Sequence, residues 1–273
     1  MPEGPEVETI RRDIESLICG RQIVDIRLSG KALRTPISLK SLKPLIGQTI
    51  QAANRHGKLL WLEINETTGV FFRLGMTGRI HIHEQNHPGE AHTHVTLRFD
   101  NNEELRFIDP RRFGSVVPYF SIEEKKAEFA KMGPDPLAWG SKPPAEVAQK
   151  MCESARLLKV LLMDQKLIAG VGNIYASEAL FLAELSPFKR GDQITIKQAT
   201  RLLQCCRKAM QTAVDQRGTT FMSYVDGFGR KGDNQSRLFV FSRAGKPCKK
   251  CQTPIKKSIQ AGRSTFYCQS CQK

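Results

Sequence analysis

Two stretches near the C-terminus, Pro247-Cys248-Lys-Lys-Cys251 and Thr265-Phe-Tyr-Cys268-Gln-Ser-Cys271, decide the fold of this part of the chain. They form the pattern Cys-X2-Cys-X16-Cys-X2-Cys, whose two CxxC pairs place four thiolates around one tetrahedral zinc ion. We therefore predict one Zn²⁺ bound by Cys248, Cys251, Cys268 and Cys271. Four thiolates leave no open coordination position, so the predicted zinc is structural. Residues 265–267 are typical of a strand, which predicts a β-hairpin finger with Arg263 at its turn.

The composition points to a polyanionic partner. The 273 residues include 42 Lys and Arg against 27 Asp and Glu, a formal charge of +15. Nucleic acid is the first candidate, and an anionic membrane surface is the alternative, although no basic amphipathic helix stands out. No apolar run is long enough to span a membrane, and the acidic first residues are unlike a signal peptide. The remaining cysteines form no disulfide framework, which predicts a reducing, cytoplasmic location: Cys19, Cys152, Cys205 and Cys206.

Upstream of the finger, the hydrophobic pattern divides the chain into a helical part and a strand-rich part. Helical spacing predicts helices at 144–154, 157–163, 174–182 and 196–217. Short runs punctuated by Gly, Asn and Asp predict strands at 22–28, 49–55, 58–64, 69–74, 79–83, 95–99 and 104–109. The Pro- and Gly-rich stretch 133–144 is the clearest break. One helix followed by many short strands predicts an N-terminal β-sandwich or barrel.

The first eight residues have two explanations, and their sequence is Met1-Pro2-Glu3-Gly4-Pro5-Glu6-Val7-Glu8. Acidic residues and proline favour a helix start, and Val7, Ile10 and Ile14 follow at helical spacing. Removal of Met1, which is usual before a small residue, would instead give Pro2 a secondary amine with an ordinary pKa of about 7.7–8.0. Such an amine can attack an aldehyde-level carbon to form an iminium, and Glu3 and Glu6 are close enough in sequence to handle protons. Taken alone, the stretch favours the helix start.

A second candidate site is the turn between two predicted helices, Gly170-Val171-Gly172-Asn173. Two glycines before a helix permit a tight turn with exposed backbone N–H groups, which is an anion site of the helix N-terminus type. Asn173 is placed to cap the second helix. Steric demands alone also place glycines before helices, so this motif is weak by itself.

Short motifs follow one another along the chain: Pro2-Glu3-Gly4-Pro5-Glu6-Val7-Glu8-Thr9, Gly57-Lys58, Leu74-Gly75-Met76-Thr77-Gly78, Asp109-Pro110-Arg111-Arg112-Phe113-Gly114, Gly133-Pro134-Asp135-Pro136-Leu137, Gly170-Val171-Gly172-Asn173-Ile174-Tyr175-Ala176-Ser177-Glu178, Gly218-Thr219-Thr220 and the cysteine finger. No single motif is decisive. In their order and coverage the chain resembles the formamidopyrimidine-DNA glycosylase family, bacterial base-excision repair enzymes for oxidised purines.

The resemblance implies an α+β fold in three parts. Residues 1–136 would form a catalytic β-sandwich with an N-terminal helix. Residues 145–235 would form a helical domain with a helix–two-turn–helix motif and a mobile lesion loop at 218–234. Residues 236–273 would form the β-hairpin zinc finger. The implied protein is a nucleoid-associated bacterial enzyme that binds damaged double-stranded DNA. No feature of the sequence demands oligomerisation, so we expect a monomer.

The implied activity is that of a bifunctional DNA glycosylase and AP lyase that excises 8-oxoguanine and formamidopyrimidines. By resemblance, Pro2 attacks C1′ and forms the Schiff base, Glu3 donates a proton to the opening sugar, and Glu6 is a second catalytic carboxylate. β- and δ-elimination then cut the strand. Phosphates around the extruded nucleotide, whose unstacking costs a few kcal/mol, would be bound by Lys58, Asn173 and Arg263. The space left in the duplex would be filled by Met76, Arg111 and Phe113.

Two positions depart from the family pattern. Arg73 stands where histidine is common, which keeps a cation for phosphate contact. Gly4 stands where leucine is frequent, and glycine there also occurs in the endonuclease VIII branch, which prefers oxidised pyrimidines. Two alternatives therefore stay open: an endonuclease VIII-like glycosylase, and a non-catalytic zinc-ribbon DNA-binding protein. A Schiff-base role for Lys58 is a further possibility, although the resemblance favours phosphate binding.

Five of the six histidines lie close together: His81, His83, His87, His92 and His94. The pairs His81/His83 and His92/His94 could each share a strand face and hold a second metal. Exposed histidines on a strand–loop–strand segment are the simpler explanation. We therefore predict the zinc ion of the finger as the one bound metal.

Overall fold

The structure, a computed structural model, describes residues 2–221 and 224–273. The chain forms two compact units, Met1–Ala130 with Gln216–Asp233, and Lys131–Asp215 with Asn234–Lys273. These units differ from the predicted parts: residues 216–233 belong to the strand-rich unit and not to the helical one, and the finger shares a unit with the helices. The division into three domains stays a prediction, and each unit is described by itself.

The first unit is built from two antiparallel four-stranded sheets. Its strands are β1 (Ile23–Leu28), β2 (Ala52–His56), β3 (Leu59–Glu63), β4 (Gly69–Arg73), β5 (Arg79–Glu84), β6 (Thr93–Phe99), β7 (Glu103–Ile108) and β8 (Ser115–Tyr119). The sheet orders are β1-β6-β7-β5 and β2-β3-β4-β8. Buried side chains of both sheets form one core, in which the rings of Phe72 and Phe107 lie 6.1 Å apart. The predicted β-sandwich is thus confirmed.

Helix α1 (Gly4–Ile18) packs its apolar face into the same core. Val7, Ile10, Ile14 and Ile18 are fully buried, as residues three and four apart on one helix face should be. Two further helices belong to this unit, α2 (Leu39–Leu42) and α3 (Ile122–Phe129), with a 3₁₀ turn at Lys43–Leu45. The expected helix start after Pro2 is therefore correct.

The second unit consists of helices followed by a β-hairpin. The helices are α4 (Ala145–Cys152), α5 (Leu158–Leu162), α6 (Asn173–Leu182) and α7 (Ile196–Asp215), and the hairpin strands are β9 (Lys256–Gln260) and β10 (Arg263–Tyr267). Short 3₁₀ turns lie at Gly191–Gln193 and Asn234–Ser236. The helices share a core, and a small cluster around Phe181, Val240 and Phe266 joins α6 to the hairpin.

Glu178 on α6 fixes the segment that leads into the hairpin. Its buried carboxylate accepts hydrogen bonds from the backbone N–H groups of Phe239, Val240 and Phe241 at 2.8, 2.9 and 2.8 Å. Three charge-assisted bonds to one carboxylate satisfy backbone donors that would otherwise be buried without partners.

In the part of the chain that the structure describes, none of the helices combines the length and the apolar character that a membrane span requires.

Candidate active site

The first predicted site is the start of α1, where Pro2, Glu3 and Glu6 are all buried. The backbone N–H of Glu3 donates to Oε2 of Glu6 at 2.9 Å, which is one half of a capping box. The other oxygen, Oε1, accepts the backbone N–H of Thr219 at 2.8 Å. Both carboxylate oxygens of Glu6 are therefore fixed, one by the helix start and one by a segment more than two hundred residues away. Met1 lies outside the described residues, so its removal stays a prediction.

The segment around Thr219 is fastened to α1 by a second carboxylate that the sequence analysis missed. The Asp13 carboxylate accepts a hydrogen bond from Nη2 of Arg217 at 2.7 Å and another from the backbone N–H of Gly227 at 3.0 Å. Arg217 also pairs with the buried Asp226, which accepts the backbone N–H of Arg230 at 2.9 Å. The predicted mobility of the loop 218–234 stays a prediction. Met222 and Ser223, near its middle, lie outside the described residues.

The three predicted gap-filling residues come together on two adjacent turns. Met76 and Phe113 are 41% and 44% exposed. The Arg111 guanidinium lies 4.5 Å from the centre of the Phe113 ring, and its Nη1 lies 3.4 Å from Sδ of Met76. An apolar wedge, a flexible thioether and a donor fork thus form one exposed group.

Asp109 holds these two turns together, and its role was not predicted. It is fully buried, and its Oδ1 accepts the Thr77 hydroxyl at 2.5 Å. Its Oδ2 accepts the backbone N–H of Gly114 at 2.7 Å. Gly75 has φ +61° and lies so close to the Phe113 backbone that a Cβ atom would meet it at 2.7 Å. The glycine is therefore required both by its backbone conformation and by the close approach of the second turn.

Two predicted cations lie in the sheet that contains β2, β3 and β4. Lys58 follows Gly57 in the turn between β2 and β3 and is half-buried. Arg73 ends β4 and forms an ion pair with Glu128, so contact with a DNA phosphate would compete with an existing partner. The contribution of Arg73 to DNA binding stays a prediction.

Glu8 forms a second charge cluster on α1 with three arginines. Arg11, Arg12 and Arg55 approach its carboxylate at 3.1, 2.8 and 2.9 Å. Burial alone would raise the pKa of Glu8, but the hydrogen bonds and charges of these arginines outweigh it and lower the pKa to about 2. The carboxylate is therefore ionised at neutral pH, and its role is to join α1 to β2.

In the second unit the side chain of Gln165 binds the glycine turn at two points. The Nε2 of Gln165 donates to the carbonyl oxygen of Val171 at 2.8 Å, and its Oε1 accepts the backbone N–H of Gly170 at 3.0 Å. Gly172, and not Asn173, occupies the cap position of α6, so the predicted capping role of Asn173 is wrong. Among the described residues, Oδ1 of Asn173 is buried and has no hydrogen-bond partner. This oxygen therefore does not cap the start of α6.

Arg263 begins β10 at the hairpin turn, as predicted. It lines a cavity of about 310 Å³ together with Arg156, Lys159 and Gln165. The Lys159 ammonium is buried and donates to Oγ1 of Thr265 at 2.7 Å, which holds the hairpin against α5. A basic cavity beside the glycine turn suits an anionic ligand such as a phosphate.

The four cysteines of the finger converge as the spacing predicts. Their sulfur atoms all lie within 4.8 Å of one another, with Cys248 to Cys271 at 3.9 Å and Cys251 to Cys268 at 3.5 Å. Zn–S bonds of about 2.3 Å in a tetrahedron separate sulfurs by roughly 3.8 Å, so the arrangement fits one structural Zn²⁺. The predicted cofactor and its four ligands are thus in place.

Two of the histidines are buried, so the expectation of exposed histidines was wrong for them. His81 and His94 are 6% and 3% exposed. The Nε2 of His94 lies 3.0 Å from the carbonyl oxygen of Asp109, and its Nδ1 lies 2.9 Å from the Ser29 hydroxyl. Burial lowers the pKa of His81, although the nearby Glu90 opposes the shift. The sequence could not reveal these partners because they come from other elements.

Together, the fixed N-terminal carboxylates, the exposed wedge and the cysteine hairpin define the class of zinc-finger DNA glycosylases. Family models for the "Formamidopyrimidine-DNA glycosylase N-terminal domain", the "Formamidopyrimidine-DNA glycosylase H2TH domain" and the "Zinc finger found in FPG and IleRS" match residues 1–116, 132–224 and 245–273. The chain belongs to the formamidopyrimidine-DNA glycosylase family, and it is a DNA glycosylase and AP lyase of that type.

Individual relatives align with this chain over its full length. The formamidopyrimidine-DNA glycosylases of Geobacillus kaustophilus and Herpetosiphon aurantiacus are 38% and 35% identical, and each alignment covers 100% of both chains. A Lactococcus lactis Fpg variant in complex with Fapy-dG-containing DNA superposes with a TM-score of 0.90 at 32% identity, covering 100% of both chains. The MutM (Fpg) protein of Thermus thermophilus superposes with a TM-score of 0.86 at 35% identity, and the match covers 99% of this chain and 98% of the Thermus chain. The non-catalytic alternative is therefore set aside.

Proposed function

We propose that this chain excises oxidised purines, 8-oxoguanine and formamidopyrimidines, from duplex DNA with the amine of Pro2 as nucleophile. The observation that carries the proposal is the fixation of Glu6 between the N–H groups of Glu3 and Thr219, at 2.9 and 2.8 Å. It orients a carboxylate beside Pro2 that the helix start alone would not need to hold so tightly. Lesion-containing DNA in the solved relatives supports the substrate class.

The reaction follows from the chemistry of a secondary amine. The Pro2 nitrogen bonds to C1′, the bond from C1′ to the base breaks, and the base leaves with its electron pair and takes up the proton that the Pro2 nitrogen loses. Glu3 protonates the sugar ring oxygen as the ring opens, and the nitrogen keeps the positive charge as an iminium. Loss of a C2′ proton then expels the 3′ phosphate, and a second elimination expels the 5′ phosphate. Glu6 holds the sugar or a water molecule during these steps.

The remaining site residues bind and distort the DNA. In the first unit Lys58 contacts a phosphate, and Arg73 does so when it leaves Glu128. In the second unit Asn173 and Arg263 bind phosphates. Asn173 would donate from its side-chain NH₂, and the basic cavity beside Arg263 supports the role of Arg263. The exposed group of Met76, Arg111 and Phe113 replaces the extruded base, with Arg111 facing the orphaned cytosine.

Borohydride trapping on an abasic duplex tests the nucleophile. Pro2→Gly is expected to trap far more slowly than wild type, because its amine is primary and its backbone is less constrained. Lys58→Gln is the matched control, since it should bind DNA more weakly but still trap when saturated. Intact mass spectrometry shows whether Met1 is absent. Equal trapping by Pro2→Gly, or full activity in a protein that keeps Met1, would refute the assignment.

Cleavage of two duplexes tests the substrate. One carries 8-oxoguanine opposite cytosine and the other carries thymine glycol. The proposal expects much faster cleavage of the first. The reverse order would support the endonuclease VIII-like alternative, which Gly4 keeps open.

We further propose that the enzyme acts as a monomer on the nucleoid of a bacterial cytoplasm. Its formal charge of +15 suits association with DNA. Sedimentation at working concentrations, with and without DNA, would show whether one chain binds one duplex. A stable dimer that is required for cleavage would contradict the monomer.

A further inference from the structure

A second cluster of metal-ligating side chains lies in the first unit, well apart in sequence from the cysteines. His81, His83 and Glu90 each offer a ligand atom, and these three atoms lie within 4.8 Å of one another. The Nδ1 of His81 lies 3.1 Å from Oε1 of Glu90, and the Nε2 of His83 lies 2.8 Å from Oε2. Within the described residues, the only other such cluster of His, Cys, Asp and Glu is the cysteine finger.

The strand geometry explains why two imidazoles meet here. His81 and His83 are two residues apart on β5, so their side chains leave the same face of the strand. Their rings are nearly perpendicular, at 87°, with centroids 5.7 Å apart. Glu90 lies in the loop between β5 and β6 and returns to this face. The Glu90 carboxylate from the loop thus completes a set of three ligand atoms, of which the two histidines on β5 supply the other two.

The loop that carries Glu90 is held rigidly by Arg106 on β7. The Nη1 of Arg106 donates to the carbonyl oxygen of Pro88 at 2.7 Å, and Nη2 donates to that of His87 at 2.7 Å. Arg106 also pairs with two carboxylates: its Nε lies 2.6 Å from Oε1 of Glu104, and its Nη1 lies 3.9 Å from Oε2 of Glu90 itself. Glu90 therefore does not depend on a metal ion to reach the histidines, and the donor set is formed in advance.

The spacing of the ligand atoms fits a transition metal of the zinc type. Zn–N and Zn–O bonds of about 2.0–2.1 Å in a tetrahedron separate neighbouring ligand atoms by roughly 3.3 Å. The Oε2 atom of Glu90 lies 3.4 Å from Nδ1 of His81 and 2.8 Å from Nε2 of His83, close to that separation. Each imidazole that now donates an N–H to Glu90 would carry its proton on the other ring nitrogen and bind the metal through the nitrogen that now faces Glu90. Imidazole nitrogens favour zinc, nickel and cobalt over magnesium and calcium.

We propose that His81, His83 and Glu90 bind a second divalent transition metal ion, with two nitrogens and one carboxylate oxygen as ligands and water at the open position. The occupied site would fasten the loop before β6 to β5. This loop ends at His92, whose carbonyl oxygen accepts the backbone N–H of Asp109 at 3.0 Å. The site is independent of the proposed glycosylase chemistry, because none of its ligands belongs to the catalytic or DNA-binding residues.

Equilibrium dialysis of the zinc-loaded full chain against micromolar Zn²⁺, with metal measured by mass spectrometry, tests the site. Wild type is expected to hold two zinc ions per chain and Glu90→Gln one, with affinity at the second site reduced at least about tenfold. Glu90→Gln preserves the shape of the side chain and should fold. His92→Asn is the matched control, because His92 is exposed and outside the ligand set, and it should keep both ions.

Imidazole nitrogen NMR gives a second readout that does not depend on counting ions. Zinc addition should shift the ring nitrogens of His81 and His83 and leave those of His92 unchanged. In His83→Gln the zinc-induced shift at His81 should be lost at the same zinc concentration. A wild-type protein that holds one zinc only, or Glu90→Gln and His83→Gln proteins that bind the second ion like wild type, would overturn the proposal.

Discussion

Replacement of Asp109 separates the stability of the two turns that carry Met76 and Phe113 from the chemistry proposed for Pro2. Asp109 touches neither Pro2 nor the carboxylates beside it in the described contacts. Its two carboxylate oxygens instead accept hydrogen bonds, one from the Thr77 hydroxyl at 2.5 Å and one from the backbone N–H of Gly114 at 2.7 Å. A third contact, from the backbone N–H of Arg111 at 3.3 Å, is long and contributes least.

The expected magnitude follows from which donors lose their partner. In Asp109→Ala the N–H of Gly114 stays buried without an acceptor, which costs about 1–3 kcal/mol, and the bond from Thr77 to a charged acceptor contributes about 1.5–3 kcal/mol. We expect the free energy of unfolding to fall by about 3–4 kcal/mol. Asp109→Asn is the informative partner. Its amide oxygen can accept from Gly114 while its NH₂ donates to the Thr77 hydroxyl, so the loss should be about 1 kcal/mol.

Urea unfolding followed by fluorescence measures both losses. Excision of 8-oxoguanine opposite cytosine measures the effect on the wedge. A displacement of about 1 Å can cost 10²-fold in rate, so we expect Asp109→Ala to lose about tenfold to a hundredfold and Asp109→Asn much less. Asp100→Ala, at an exposed turn of the same unit, should change stability by less than 0.5 kcal/mol. The reasoning fails if Asp109→Ala is as stable as Asp100→Ala, or if Asp109→Asn is as unstable as Asp109→Ala.

Three further perturbations test other parts of the chain. Because the pKa of Glu8 is about 2 when folded and 4.5 ordinarily, its stabilisation is complete above pH 4.5 and is lost as the pH falls towards 2. Unfolding between pH 7 and pH 2.5 should show about 2 kcal/mol of this loss after allowance for solvent screening, and Glu8→Gln should abolish that part of the pH dependence. Arg217→Ala should lower the free energy of local opening of residues 216–233 by about 2 kcal/mol, which would appear as roughly thirtyfold faster amide hydrogen exchange there. Unchanged exchange would mean that the ion pairs of Arg217 with Asp13 and Asp226 contribute nothing. Zinc chelation should abolish DNA binding while the circular dichroism of the sandwich persists, and undiminished binding would contradict a structural role for the finger.

Features encoded by nearby residues were predictable from the sequence, and those formed by distant partners were not. The cysteine pairs and the apolar face of α1 depend on spacings of three and four residues, and both were predicted correctly. Strand β8 was not predicted because it contains Pro118, which lacks an N–H. The proline is tolerated because β8 is an edge strand. Helix α3 was missed because it has no buried residue of its own, although Phe129 at its end packs on Trp61 at 5.0 Å.

The start of α1 shows why a local explanation of a motif that we propose to be catalytic can be correct and still incomplete. A capping box needs one oxygen of Glu6, and the hydrogen bond from Glu3 uses it. Helix formation gives no reason for the second oxygen of Glu6 to accept a hydrogen bond from the backbone N–H of Thr219. Thr219 lies more than two hundred residues after Glu6, beyond the helices of the second unit in the sequence. A charged acceptor held by buried N–H groups on two sides cannot turn away without leaving a donor unpaired. The carboxylate beside Pro2 is therefore kept in one orientation by a contact that stability of the helix does not require, as expected for a residue that positions a reacting group.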